Sequence, residues 1–168
     1  SNIESGRLVL TSRAVPVSQA FARITGELGP RARARNLVLA CEPPADTALA
    51  VCADEQRLHQ ILRHLVDNAI KFTEHGSVTL TGVAPEAAGH VIFEVRDTGI
   101  GVARDRQDAV FERFVQGDGS ATRRFGGTGL GLSLVRDLVQ LMGGVVQLES
   151  AGEGCGTCVR FTLPASIT

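Results

Sequence analysis

The feature that most constrains this chain is a stripe between Asp54 and Phe72. Leu58, Ile61, Leu62, Leu65, Ala69 and Phe72 fall on one face of a helix turning ~100° per residue. Asp54 stands where an N-cap is expected, and Glu74-His75-Gly76 ends the pattern. A second line of Gln60, His64, Asn68 and Lys71 is polar and lies on a different face. Directly afterwards the period changes from 3.6 to 2. Ser77 to Val83 and His90 to Arg96 read as two strands joined by APEAAG, a hairpin. A helix with one apolar face beside strands with one apolar face must bury the two against each other.

The remaining elements fit that layering. Val17 to Arg35 reads as an amphipathic helix, with Val17, Ala20, Phe21, Ile24 and Leu28 on one side. Asn36 to Cys41 reads as a strand, followed by the loop EPPAD and a short strand at Leu49 to Cys52. A loop-rich stretch, with a short helix at 108–114, leads to a helix from about Gly127 or Thr128 that Gly143-Gly144 stops. Val145 to Glu149 and Thr157 to Leu163 close the chain as two strands. The expected class is α+β: a two-layer α/β sandwich with helices on one face of a mixed, mostly antiparallel sheet.

Composition removes several functions. A chain of 168 residues, 43% hydrophobic and 21% charged, fits one globular domain and excludes disorder. Net charge of -1 speaks against nucleic acid, and seven Phe without Trp or Tyr speak against base-stacking platforms. No apolar run reaches the ~18 residues of a membrane span, and SNIESGRLVL lacks the features of a signal peptide. Cys41, Cys52, Cys155 and Cys158 read as a reduced, cytosolic set. The CxxC of Cys155 and Cys158 runs into the strand-like CVRFTL, not into a helix that would lower a thiol pKa. A strand position for a small hydrophobe explains it better than a redox or zinc site.

The glycines carry the first chemical signal, because thirteen of nineteen fall between Gly99 and Gly156. FGGTGLGL leads straight into an amphipathic helix. Free N–H groups at a helix start, with no Cβ in the way, suit a phosphate. There is no Gly-Lys pair and no GxGxxG, so neither the P-loop nor the Rossmann fingerprint applies. The second signal is Asp97-Thr98-Gly99-Ile100-Gly101 at a strand's end. Its carboxylate can accept from the amine of a planar ligand such as adenine, although alone it reads as a plain turn. The third is Asn68, whose amide oxygen is acceptable to Mg²⁺, with Lys71 beside it to meet a phosphate. Taken alone, these two read as a solvated polar stripe.

Order and spacing join the three. HQILRHLVDNAIKFTEHG resembles the N box, VRDTGIGV the G1 box, FERFVQGD the F box and RRFGGTGLGLSLV the G2 box of sensor histidine kinases. GEGCGTCVRFTLP resembles the closing hairpin of the same catalytic ATP-binding domain. IESGRLVL resembles the segment leaving the helical dimerisation domain. The resemblance spans nearly the whole chain and places it in the GHKL ATPase superfamily, the Bergerat fold. The wording of QGDGSATRRFGGTGLGLSL is most similar to hybrid sensor kinases. Residues 1–14 are then an exit segment and 15–168 the ATP-binding domain.

The resemblance implies roles. Asp97 would hold the adenine amine, with Gly99, Ile100 and Gly101 lining the base pocket. Asn68 would coordinate Mg²⁺, Lys71 would contact phosphate and Phe72 would lie near the nucleoside. Phe111 and Phe114 would help seat the lid and the partner domain. Residues 114–125 would form an ATP lid, with Arg124 on the γ-phosphate and Arg123 assisting. Gly127, Thr128, Gly129, Leu130 and Gly131 would cradle phosphates and hinge the lid. The implied reaction is transfer of the γ-phosphoryl group of Mg-ATP to a histidine on the dimerisation domain. That phosphohistidine would then supply a receiver domain.

Two departures stand out. The family usually carries a second Asn one turn before Asn68, where this chain has His64. Imidazole is a poor Mg²⁺ ligand, so His64 is expected to donate to a phosphate instead. No histidine sits in the family's acceptor motif: His59, His64, His75 and His90 fall elsewhere. The acceptor is therefore expected before Ser1. The domain is expected in the cytoplasm, without membrane contact, in a membrane-associated parent. The competing readings are a degenerate nucleotide-binding module without transfer, and a GHKL protein kinase of the anti-sigma type.

Overall fold

A computed structural model of the chain describes residues 10–42, 44, 48–84, 89–99, 130–149 and 156–166. The elements in chain order are β1 (Ser12–Pro16), α1 (Val17–Ala34), β2 (Val38–Glu42), β3 (Ala50–Asp54), α2 (Glu55–Phe72), β4 (Ser77–Val83), β5 (His90–Asp97), α3 (Leu130–Leu141), β6 (Val146–Glu149) and β7 (Thr157–Pro164). Five strands form one sheet in the order β2-β4-β5-β7-β6. Among the described residues only β2 and β4 run parallel. The remaining pairs are antiparallel. The expected mixed, mostly antiparallel sheet is present.

Alternation along β4, β5 and β7 sends one side of the sheet into the core. Val78, Leu80, Val91, Phe93, Val95, Phe161 and Leu163 are buried there against the helices. Phe93 and Phe161 are direct cross-strand partners. Their rings stack at 4.7 Å, and Phe21 of α1 meets Phe93 edge-on at 6.0 Å. Such pairs add about 0.5–1.5 kcal/mol beyond the area they bury. The opposite side of the sheet carries Glu94, Arg96 and Arg160, with Glu94 accepting from both guanidinium groups. The two faces differ because period 2 separates apolar from charged residues on each strand.

Helix α2 begins as its sequence requires. The Asp54 carboxylate accepts from Arg57 N at 3.2 Å and from Thr11 N at 2.8 Å, so one side chain caps the helix and fixes the entry to β1. At its end Thr73 donates to Ala69 O at 2.7 Å. Arg35 donates to Thr73 O and Lys71 O, placing positive charge at the negative end of the helix dipole.

Two local expectations change. Asn36 does not open a strand: it takes φ 59°, and Leu37 N closes back onto Ala32 O at 2.9 Å. This is a Schellman stop for α1, in which Asn tolerates the left-handed region better than most residues. The strand therefore starts at Val38. Periodicity predicts no element at Ser12–Pro16, yet these residues pair antiparallel with β3 in a separate ribbon. Pro16 ends that strand and leads into α1, where its fixed φ of -63° and missing N–H cost nothing.

Candidate functional site

The carboxyl end of β5, the last turns of α2 and the start of β7 meet at one place. Asp97 is the last residue of β5 and is half-buried. Its Oδ1 accepts from Gly99 N at 2.9 Å and from Thr157 N at 3.2 Å. Among the described residues its Oδ2 has no hydrogen bond. Burial pushes the carboxyl pKa up from the ordinary value, and the two backbone donors pull against that shift. A carboxylate fixed through one oxygen leaves the other as a directed acceptor.

Gly99 is required by the protein's own backbone. A Cβ there would collide with the carbonyl of Phe72 and come within 2.9 Å of Asp97 Oδ1. The bare glycine thus lets the turn after β5 lie against the end of α2, which brings Asp97 beside Phe72. Thr98 ties the same turn to the start of β4. It donates through Oγ1 to His75 O at 3.1 Å, and its N–H donates to Ser77 O at 3.2 Å.

The polar line predicted on α2 is present. Asn68 is partly buried, and its Nδ2 is buried without a hydrogen-bond partner among the described residues. A buried N–H donor without a partner is costly, so this group calls for an acceptor. The oxygen of the same amide is a hard ligand of the type that suits a cation such as Mg²⁺. Lys71 Nζ lies 3.5 Å from Asp67 Oδ2, and Asp67 Oδ1 also takes Arg31 from α1. His64 is half-buried. Its pKa is pushed down, first by burial and then by Arg63 and Lys71, while Asp67 opposes the shift. That direction favours the neutral ring, which presents one donor and one acceptor.

Asn68, Lys71, Phe72, Asp97 and Gly99, separated in sequence by up to 31 positions, are thus brought to one corner by two elements and a turn. Leu130 and Gly131 open α3, whose first backbone N–H groups have no partner within the helix. Ile100, Gly101, Phe111, Phe114, Arg123, Arg124, Gly127, Thr128 and Gly129 lie outside the described residues. Sequence reasoning missed Thr157, Gly156 and Asp67 as parts of this corner. For Thr157 and Gly156 the only available signal was the Gly-Thr pair at the start of a strand, which also suits a plain turn. Cys158 follows Thr157 on β7 as a buried residue, in keeping with a strand position.

This sheet order, with a carboxylate at a strand's end close to the end of the helix that carries Asn68 and Lys71, defines an α/β sandwich with a candidate site at one corner. The chain belongs to the histidine kinase-, DNA gyrase B-, and HSP90-like ATPase family, whose profile matches residues 53–167. It is 35% identical over 168 residues to the autoinducer 2 sensor kinase/phosphatase LuxQ of Vibrio harveyi, covering 98% of this chain and 19% of that protein. It is 38% identical over 168 residues to the sensor protein GacS of Pseudomonas syringae pv. syringae, covering 98% and 18%. The chain thus spans about a fifth of the length of these relatives. The full-length structure of ShkA in complex with AMPPNP aligns with a TM-score of 0.84 and 33% identity, over 99% of this chain and 35% of that one. The catalytic domain of the histidine kinase ThkA aligns with a TM-score of 0.78 at 24% identity, over 92% and 96%, which concerns the fold alone. The chain is an ATPase domain of the histidine-kinase type, as used in two-component signalling. Among the described residues no helix is long and apolar enough to cross a membrane.

Proposed function

We propose that this domain binds Mg-ATP and transfers the γ-phosphoryl group to a histidine on a helical dimerisation domain. The observation that carries the reading is the Asp97 carboxylate, anchored through Oδ1 with Oδ2 left over, together with the orphaned amide nitrogen of Asn68 on the helix whose end meets the same turn. Oδ2 accepts from the exocyclic amine of adenine. The glycine contact at Phe72 sets the base next to the helix whose polar line faces the phosphates. The similarity to ShkA, solved with AMPPNP, supports nucleotide binding by this domain.

Phosphoryl transfer asks a protein mainly for position and charge neutralisation. Asn68 would hold Mg²⁺, which when bound neutralises charge on the β- and γ-phosphates. Lys71 leaves Asp67 for a phosphate oxygen. Neutral His64 donates one N–H toward the phosphates and orders the triphosphate without serving as a metal ligand. Arg124, with Arg123 beside it, steadies the γ-phosphate as charge develops there. Gly127, Thr128, Gly129, Leu130 and Gly131 supply backbone N–H donors to the phosphate chain. The histidine acceptor approaches from the dimerisation domain, which docks at Phe111 and Phe114. A receiver domain then takes the phosphoryl group from that histidine.

Calorimetric titration with ATP, with Mg²⁺ and then with EDTA, tests binding: a metal-dependent rise in affinity is expected. A longer chain that includes the upstream helices, incubated with γ-labelled ATP, tests transfer: acid-labile label on histidine is expected. His64 favours one second reading, a module that binds nucleotide and signals by shape. Tight ATP binding without label on the longer chain would select it.

A further inference from the structure

The residues that hold Asp97 do not belong to its own turn alone. Asp97 and Thr157 are the last register partners of β5 and β7. At that point the Thr157 N–H turns to the carboxylate Oδ1, 60 positions away in sequence. One residue earlier, Gly156 N donates to Gly99 O at 3.1 Å. The entry to β7 therefore grips both ends of the Asp97–Gly99 turn. Gly156 has φ +77°, a conformation that side chains rarely adopt. A Cβ there would collide with the Asp97 carbonyl and meet Asp97 C and Thr98 Cα at 3.3 Å. Both backbone conformation and space thus demand glycine at this position. The steric demand comes from the main chain of Asp97 and Thr98, which lies directly against Gly156.

We propose that Gly156 and the Thr157 N–H are positioning residues that select the base: the Thr157 N–H fixes Asp97 through Oδ1, and the bare Gly156 lets the entry to β7 lie close enough to do so, leaving Oδ2 to accept from an exocyclic amine. With the Gly99 N–H alone, the carboxylate would be free to turn about its last bond and present either oxygen at varying angles. Two N–H donors converging on the same oxygen remove that freedom. The discrimination between a base bearing an amine and one bearing a carbonyl then depends on the start of β7. This rests on Asp97 being the base acceptor.

The test compares MgATP with MgITP, whose base carries an oxygen where adenine carries its amine, on the 168-residue chain. In the parent protein ATP should bind more tightly than ITP. Gly156→Ala should weaken ATP about tenfold and leave ITP nearly unchanged, so that discrimination collapses. Thr157→Pro, which removes the N–H at the first residue of a strand, should act in the same direction even if Gly156→Ala fails to fold. Gly89→Ala is the control: Gly89 also has positive φ, but no atom lies within 4 Å of a Cβ placed there. It should lower thermal stability without changing the ATP-to-ITP ratio. Equal weakening of ATP and ITP by Gly156→Ala or Thr157→Pro would overturn the proposal, as would an unchanged ratio in both. If the parent protein does not discriminate, or Asp97→Asn leaves the ratio untouched, the assignment of Asp97 to the base fails instead.

Discussion

The two ends of the proposed site, one for the base and one for the phosphates, are held in different ways. At the base end, backbone donors from two chain segments fix Asp97 through a single oxygen, and Gly99 lies against the Phe72 carbonyl. At the phosphate end, Asn68 has an amide nitrogen without a partner, and Lys71 shares Asp67 with Arg31. Backbone hydrogen bonds between strands and turns persist as long as the fold does. A partly exposed ion pair is worth about 0–1 kcal/mol and exchanges readily. On the proposed reading the base end is built before a nucleotide arrives, whereas at the phosphate end Lys71 rests in an ion pair that costs little to leave.

Substitutions at each end should separate these behaviours. Asp97→Asn is expected to have the largest effect. The amide oxygen will take the place of Oδ1, where Gly99 and Thr157 supply donors, so the NH₂ will face the base amine. Two facing donors should cost ATP about 100-fold in affinity by calorimetry, with the folded state retained. The same substitution changes stability with a defined sign. The folded carboxyl pKa is raised, so the contribution of Asp97 is fully present below the ordinary value of 3.8 and is lost as pH rises through the folded value. Denaturation curves of parent and Asp97→Asn should therefore differ in slope with pH just above 3.8 and run parallel near neutrality. Acidification through that same window should also weaken ATP, because the protonated carboxyl loses acceptor capacity.

Asn68→Ala should come next. About tenfold of the ATP affinity seen with Mg²⁺ should disappear, and the affinity in EDTA should hardly move. An equal loss in both conditions would mean that Asn68 acts on the fold. His64→Asn should strengthen Mg-ATP binding by a few-fold, because an amide replaces a neutral ring as a possible metal partner. Unchanged or weaker binding by calorimetry would remove that role. The smallest expected change is at Asp67. Asp67→Asn releases Lys71 from its present partner and should raise ATP affinity about twofold, an effect that fades as salt is added. A loss of affinity would show that Asp67 helps to hold the lysine in place.

Much of this was legible in the sequence, for reasons that vary with the residue. The stripe from Leu58 to Phe72 gave α2 almost to the residue, because its period, its Asp54 cap and its stop are all local. The hairpin of β4 and β5 followed from strict alternation. Ser12–Pro16 was not legible, since a short strand without alternation gains its partner only from β3, 38 positions away. Asn36 was misread because its left-handed turn depends on how α1 ends, not on its own propensity. Gly99 was recognised as a glycine needed for close approach, but not that the approaching group is the Phe72 carbonyl.

The sequence by itself determined the layering, the family and the residues that meet the nucleotide in this reading, because periodicity and motif spacing are written along the chain. The tertiary structure alone decided what holds those residues. The Thr157 N–H on Asp97, the Gly156 contact beneath it and the Arg31 contact on Asp67 join positions 36 to 60 residues apart. They arise from strand register and helix packing, which no local pattern contains. Two of the three use backbone atoms, which every residue carries and which therefore leave no mark in composition.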